Sequence, residues 1–287
     1  NMLEILDTMR SSIVTIAEML NNNNSLNLGM VTNDTNNTGD MVKKFDIMSN
    51  EILINNLKQC SDIKRIFSEE IEEPIMVNPD GKYMVTFDPL DGSSNLDVNI
   101  SSGTIFGIFI DDDDNIIKAS NIVAAGYGLY SAATQYVEVI DTINIYQMIN
   151  GKMELIKANH IIPPSGKSYC FNHTNYDFRH PVLARLISEA HNLRHSCRWA
   201  GCMVADGHRI LVKGGWWCYP GTEKSYHGKI RLLYEAIPFS YIFKIGKGQN
   251  SSFSGDIMNT VIDLSKESGH KRTPIILASV NYDLKSF

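Results

Sequence analysis

The 287-residue sequence predicts a mixed α/β fold, and three observations predict it. Apolar residues recur every three to four positions in several segments, the middle of the chain is dense in short β-prone runs, and beyond Lys157 short strands alternate with helical stretches. That change of pattern places a soft boundary near residue 160, dividing the chain into an N-terminal part, 1–160, and a C-terminal part, 161–287. With 43% hydrophobic and 20% charged residues, a chain this long buries a core that needs no disulfide or metal merely to fold.

Leu3, Leu6, Met9, Ile13, Ile16 and Leu20 mark an amphipathic helix that ends in the polar run Asn21 to Ser25. The stretch Asn21 to Asp40, rich in Asn, Thr and Gly, predicts a long loop. Phe45, Met48, Ile52 and Leu57 mark a second helix. Arg65 to Ser68 reads as a short strand that delivers Glu69 and Glu70 at its end, and Tyr83 to Asp88 as a buried strand broken by Pro89. Strands are expected at Thr104–Ile110, Gln135–Ile140, Ile143–Ile149 and Met153–Ile156, with Asp111 to Asp114 and Asn115 forming a solvated turn. In the second part the pattern predicts helices over Val182–His191, Val204–Lys213 and Ile230–Ile245, then an apolar strand, Pro274–Ala278.

Several function classes are disfavoured at once. A formal charge of −6 argues against nucleic acid as a partner. No apolar run approaches the roughly 20 residues of a membrane helix, and the first residues, Glu4 and Asp7 among them, lack a signal peptide's basic-then-apolar order. A cytoplasmic protein with no membrane partner is expected. Cys60, Cys170, Cys197, Cys202 and Cys218 are odd in number and form no CxxC pair, so they read as reduced thiols. Cys202 lies beside Met203, yet nothing in the sequence lowers its pKa, and it is not expected to be a nucleophile. His208 has no RHG-type motif around it and reads as a packing residue; Trp216 and Trp217 are expected to fill the interface between the two parts.

The chemistry concentrates in two acidic strand ends. Hard divalent cations take carboxylate and carbonyl oxygens, and phosphate hydrolysis is commonly run by two or more such ions. Glu69-Glu70 alone is an ordinary solvated strand end. In Asp88-Pro89-Leu90-Asp91 the proline lets Asp88, the Leu90 carbonyl and Asp91 turn toward one point, and Gly92-Ser93-Ser94 then presents backbone N–H groups to an anion. Seven specified residues recur by chance in roughly one in a billion windows.

These residues carry a resemblance to the class I fructose-1,6-bisphosphatase family, over nearly the whole chain. The matching blocks are TGDMVKKFD (Thr38 to Asp46), SEE (Ser68 to Glu70), GKYMVTFDPLDGSSNLD (Gly81 to Asp97), GTIFGI (Gly103 to Ile108), AAGYGLY (Ala124 to Tyr130), MVADGHR (Met203 to Arg209), GKIRLLYEA (Gly228 to Ala236) and RTPIILAS (Arg272 to Ser279). The resemblance implies a two-subdomain αβαβα layered sandwich of the sugar phosphatase type. It also implies a gluconeogenic phosphatase using two or three Mg²⁺ ions, for which Mn²⁺ can substitute, and a homotetramer acting on a small sugar bisphosphate. Carried over residue by residue, the metal ligands fall on Glu69, Asp88, the Leu90 carbonyl, Asp91 and Glu235, with Asp40 near a third ion. Glu70 and Asp46 match the pair that activates water. Gly92, Ser93 and Ser94 with Arg231 would hold the 1-phosphate, and Lys229 and Met203 the sugar.

The sequence departs from the family at the distal phosphate. Asn172, Tyr219 and Arg198 match, the last a residue that the family lends across a subunit interface, but two expected tyrosines fall on Asn175 and Trp199. Asn175 is shorter, with Tyr176 adjacent, and Trp199 is bulkier. A sedoheptulose-1,7-bisphosphatase with the same metal core therefore stands as the alternative. An inactive binding relative is disfavoured by the intact carboxylates, and a lithium-sensitive inositol phosphatase by Lys229, Arg231 and Tyr219. The allosteric region is degenerate. Lys82 and Tyr83 match AMP-contacting positions, but Ile110 replaces an arginine and Asn1 to Leu28 shows no clear match to the AMP loop, so AMP control is expected to be weak or lost.

Overall fold

A computed structural model describes residues 1–22, 35–112, 115–175 and 180–285, the side chains of 35–42 excepted. Two helices open the chain, α1 (Met2–Asn22) and α2 (Thr35–Leu57). Nine strands follow: β1 (Ile63–Ser68), β2 (Ile75–Met76), β3 (Tyr83–Asp91), β4 (Ser102–Ile110), β5 (Ile116–Lys118), β6 (Ile122–Tyr130), β7 (Gln135–Val139), β8 (Ile143–Ile149) and β9 (Lys152–His160). All but β5 form one sheet in the order β2-β1-β3-β4-β6-β7-β8-β9. The second half supplies β10 (Ser168–Cys170), α3 (Pro181–Asn192), β11 (Ser196–Cys197), α4 (Met203–Lys213), β12 (Trp216–Tyr219), β13 (Ile230–Arg231), a π-turn (Leu232–Ala236) running into α5 (Ile237–Ile245), β14 (Gln249–Ser251), β15 (Val261–Asp263), β16 (Arg272–Thr273) and β17 (Ile275–Ala278). Its main sheet runs β11-β10-β12-β17-β14, while β15 reaches back to pair with β5.

The layering follows from the period-two alternation of the strands. Val85, Phe87, Phe106, Ile108 and Tyr136 turn to one side of the large sheet, against Ile5, Met9, Ile13, Phe45 and Leu53 of α1 and α2. Their neighbours Met84, Ile105, Phe109, Tyr127 and Val137 turn to the other, against Val204 and Ile210 of α4 and Phe239 and Phe243 of α5. The same middle layer receives Trp217, Ile275 and Leu277 from the second sheet. Trp216, Cys218, Ile276 and Ala278 face outward onto Leu183 and Leu186 of α3. The order of layers is therefore αβαβα. Only Trp217 enters the layer between the sheets; Trp216, one residue away on the strand, stacks on Tyr169 with ring centroids 4.8 Å apart in the outer layer.

Three expectations are corrected, and one strand, β6, is added to those expected. Asn21 and Asn22 close α1, and α2 begins at Thr35, ten residues before Phe45, because packing of its apolar face carries the helix through residues of poor propensity. The rest of the expected loop, 23–34, lies outside the described residues. The strand β6 carries the Ala124-Ala125-Gly126 run that gives little β signal, since small residues are needed where Phe106 packs across it. Asp111 is not solvated: its carboxylate takes two bonds from Arg65, at 2.6 and 2.9 Å, and the pair is buried. Ile230 and Arg231 are not helical but pair with β16, and the helix starts only at Leu232.

His208 on α4 packs as expected, its Nδ1 2.8 Å from the Tyr127 hydroxyl. Burial, helped by nearby His160, pushes its pKa down to about 4. The unfolded chain therefore binds the extra proton between about pH 6.5 and 4, so this contribution to stability is complete above that window and is lost as pH falls through it, by at most about 3 kcal/mol. Thermal unfolding between pH 7.5 and 4.5 should show a smaller acid-induced loss for His208→Gln than for the wild type. An identical loss in both would assign the acid sensitivity elsewhere.

Candidate active site

Two acidic segments meet because β1 and β3 run parallel. Ser68 pairs with Phe87, and the Glu69 N–H donates to the Phe87 carbonyl at 3.1 Å, so Glu69-Glu70 leaves the sheet beside Asp88. Contrary to expectation, Pro89 does not end its strand, which continues to Asp91. Between the pairs Asp88–Ile105 and Asp91–Gly103, β3 uses one residue more than β4. This bulge, placed where proline's missing N–H costs no ladder bond, resets the alternation and brings Asp88 and Asp91 to one side.

The third acid comes from the other half of the chain. The π-turn Leu232–Ala236 carries Glu235, whose Oε2 accepts the Arg231 backbone N–H, and the turn is tied to β3 by the Thr86 hydroxyl, which donates to the Leu233 carbonyl at 3.2 Å. One carboxylate oxygen from each of Asp88, Asp91 and Glu235 lies within 4.8 Å of the others. All three are at least nine-tenths buried. Burial raises the pKa of each well into disfavour of the charged form or above its ordinary value, and the charges of the neighbouring acids, Glu69 among them, push the same way. A buried cluster of oxygen donors that resists ionisation on its own is the donor set a hard divalent cation satisfies.

Beside this cluster, Arg231 reaches from β13 to Glu69, with Nε 3.1 Å from Oε1, and its Nη1 donates to the His270 carbonyl at 3.0 Å. Asp46 lies near enough to Glu70 for the Glu70 charge to act on it. Burial raises both, each next influenced by a neighbouring acid, and Asp46 reaches about 6 despite a hydrogen bond with Ser93. Ser68 donates to Asn50 of α2 at 2.6 Å and accepts the Glu70 N–H at 3.2 Å, so α2 positions both members of the pair. Gly92, at φ +70°, starts the short 3₁₀ helix Ser93–Val98; a Cβ there would lie 2.7 Å from the Cβ of Cys202. Ser93 is half-buried and Ser94 exposed.

The remaining candidates separate into groups. Leu90 is buried and donates its N–H to Asp88 at 3.0 Å. Met203 begins α4 and is buried in the middle layer, whereas Lys229 is exposed just before β13. Trp199 and Tyr219 lie with rings 6.2 Å apart. Asn172 uses its Oδ1 to accept the Thr174 N–H and hydroxyl, and Asn175 closes the same turn by donating its N–H to the Asn172 carbonyl. Arg198 is exposed and lines a groove of about 580 Å³ with Trp199, Arg209 and Lys213. Tyr83 and Ile110 are paired across β3 and β4, with the Lys82 amine over the Tyr83 ring. The side chain of Asp40, on α2, lies outside the described residues, as does Tyr176.

Three residues at the site escape sequence reasoning. Asn50 gives no signal, and His270 is held by the Ile71 carbonyl, 2.9 Å from its Nε2. Asp206 lies within the MVADGHR block but carries no obvious role there; buried and raised to about 6 by that burial, it accepts the N–H groups of Ala200 and Gly201 at 2.9 and 3.1 Å.

An αβαβα sandwich with buried acids converging beside a glycine-serine turn defines a class, the phosphoric monoester hydrolases of the sugar-phosphatase type. The models described as "Fructose-1-6-bisphosphatase, N-terminal domain" and "Fructose-1-6-bisphosphatase, C-terminal domain" match residues 1–153 and 162–284. Fructose-1,6-bisphosphatase 1 of Bos taurus is 36% identical over 295 residues, covering 97% of this chain and 86% of the relative. Fructose-1,6-bisphosphatase class 1 of Persephonella marina is 36% identical over 253 residues, covering 84% and 77%. The crystal structure of Leishmania major fructose-1,6-bisphosphatase in holo form superposes with a TM-score of 0.85 at 28% identity, covering 97% of this chain and 90% of that one. The chain belongs to the fructose-1,6-bisphosphatase family.

Proposed function

We propose that this protein hydrolyses the 1-phosphate of fructose 1,6-bisphosphate, giving fructose 6-phosphate and inorganic phosphate, with Mg²⁺ as its cofactor. The observation that carries the reading is the buried triad Asp88, Asp91 and Glu235, whose oxygens converge and whose charged forms burial and mutual repulsion disfavour, with Arg231 bonded to Glu69 beside them. Glu69 and the Leu90 carbonyl complete the set that would hold two ions, and Asp40 would serve a third; Mn²⁺ fits the same oxygen donors. Bound there, such ions supply charge to the phosphoryl oxygens and acidify water. Glu70, paired with Asp46, takes the proton of the attacking water, while Gly92, Ser93 and Ser94 hold the phosphate through N–H and hydroxyl donors. Arg231, held by Glu69, turns toward the same phosphate, and Lys229 and Met203 contact the sugar.

The distal phosphate would rest on Asn172, Tyr219 and Arg198. The competing seven-carbon substrate is favoured by one observation, the loss of two tyrosines at Asn175 and Trp199, which alters both walls of this region. Phosphate release from fructose 1,6-bisphosphate, sedoheptulose 1,7-bisphosphate and inositol 1-phosphate, with and without Mg²⁺, tests the reading. We expect Asn175→Tyr to retain or raise kcat/KM for the six-carbon sugar and to depress it for the seven-carbon one. A wild-type preference of tenfold or more for the seven-carbon sugar, about 1.4 kcal/mol of transition-state binding, would replace the substrate proposed here.

We read the protein as a homotetramer in which exposed Arg198 serves a neighbouring site. Arg198→Ala should weaken bisphosphate binding, and hybrids of Arg198→Ala with Asp91→Asn subunits should recover part of the activity that each lacks. A fully active monomer in sizing chromatography contradicts this arrangement. With Ile110 beside Tyr83, AMP should inhibit weakly.

A further inference from the structure

We infer that Cys202 is a positioning residue for the candidate metal site: its thiol, by donating to Asp91, selects which carboxylate oxygen Asp91 offers to a cation. The inference rests on the reading of Asp91 as a metal ligand. Its basis is a pair of hydrogen bonds that converge on one atom. The Cys202 Sγ donates to Asp91 Oδ2 at 3.0 Å, and the Val204 N–H, in the first turn of α4, donates to the same oxygen at 2.9 Å. Two donors on Oδ2 orient the carboxylate plane and leave Oδ1 as the oxygen for a cation shared with Asp88 and Glu235. The Val204 N–H, with a further backbone hydrogen bond to Asp91 from Met203, sets a direction; the side-chain donor, from a second angle, restrains rotation about the Cβ–Cγ bond.

Packing holds the thiol in place. Cys202 is 1% exposed, and its Cβ covers Gly92 so closely that a side chain at Gly92 would meet it at 2.7 Å. The residue that orients Asp91 therefore also seats the first residue of the phosphate-binding turn. Asp91 comes from β3 and Cys202 from the start of α4, so this contact couples the two halves of the chain at the site. A buried thiol with such a partner has a task that does not require it to act as a nucleophile.

The test compares Cys202→Ala, which removes the donor but keeps the Cβ over Gly92, with Cys202→Ser, which keeps a donor. Mn²⁺ binding to the 287-residue chain without substrate is measured by isothermal titration, alongside kcat and KM at saturating and limiting Mg²⁺, with circular dichroism to establish folding. We expect Cys202→Ala to weaken Mn²⁺ binding by about tenfold or more and to raise the Mg²⁺ needed for half-maximal rate, with sugar KM at saturating Mg²⁺ within about threefold. Cys202→Ser should recover most of the affinity. Wild-type Mn²⁺ affinity in a folded Cys202→Ala protein overturns the inference, as does a folded Cys202→Ser protein as weak as the alanine variant. Asp88→Asn is the control that separates the two readings. If it binds Mn²⁺ like the wild type, the metal site itself is wrong and the inference falls with it; if it loses binding while Cys202→Ala does not, only the role of Cys202 fails.

Discussion

Asp88→Asn should lower turnover by about three orders of magnitude or more while making the metal-free protein harder to melt. The two effects have one cause. Asp88 is buried, and burial together with the charges of Glu69, Glu235 and Asp91 makes its ionised form costly. Removing that charge relieves the repulsion, and a stabilisation of about 1 kcal/mol corresponds to a rise of roughly 2–4 °C in Tm for a chain of this size. The same charge is what a divalent cation binds, so its loss removes a ligand from the centre that neutralises the phosphate and generates the nucleophile. Mg²⁺ or Mn²⁺ should raise the Tm of the wild type and leave that of Asp88→Asn nearly unmoved. Activity should vanish in excess EDTA and return on adding Mg²⁺. Full activity in EDTA, or a variant whose Tm still follows the metal, contradicts the proposed centre.

Glu70→Gln should reduce kcat by about 10²- to 10⁴-fold with KM changed by less than about threefold. Glu70 is exposed as a residue while its carboxyl is partly desolvated, and the acids beside it are Glu69 and Asp46, neither of which contacts a sugar in the proposed arrangement. Gln keeps the size and one acceptor but cannot take a proton from water. Asn50→Ala provides a graded companion: the Ser68 hydroxyl would lose its partner, and Glu70 would be misplaced rather than neutralised. A defect confined to KM in Glu70→Gln would make this residue a substrate contact.

Much of the site was legible because its residue types are chemically unusual in their setting. A carboxylate pair at a strand end, followed by DPLDGSS after a buried strand, has little structural use; Asp88 and Asp91 converge with Glu235, and Glu69 is close enough for its charge to raise the pKa of both aspartates. Lys229 and Arg231 were readable as charges but not as geometry. The segment Ile230–Ile245 looks helical throughout, and only pairing with β16 reveals that Arg231 is extended and that a π-turn delivers Glu235. Asp111 looked like part of a solvated run because a sequence does not show the Arg65 that meets it from β1.

The sequence by itself determined a mixed α/β class, because apolar residues at helical spacing and short β-prone runs are local patterns, whereas the αβαβα order was implied only by the family resemblance. It also determined which residues can bear the chemistry, since few side chains hold a hard cation or take a proton from water. Tertiary structure alone decided where those residues point. The parallel pairing of β1 with β3 sets Glu69 beside Asp88, the bulge at Pro89 turns Asp91 to the same side, and α4 supplies the Cys202 and Val204 donors that orient it. These are contacts between residues from 12 to more than 110 positions apart, and the longest of them exist only once burial of the shared core has brought the two halves together, which no local pattern encodes.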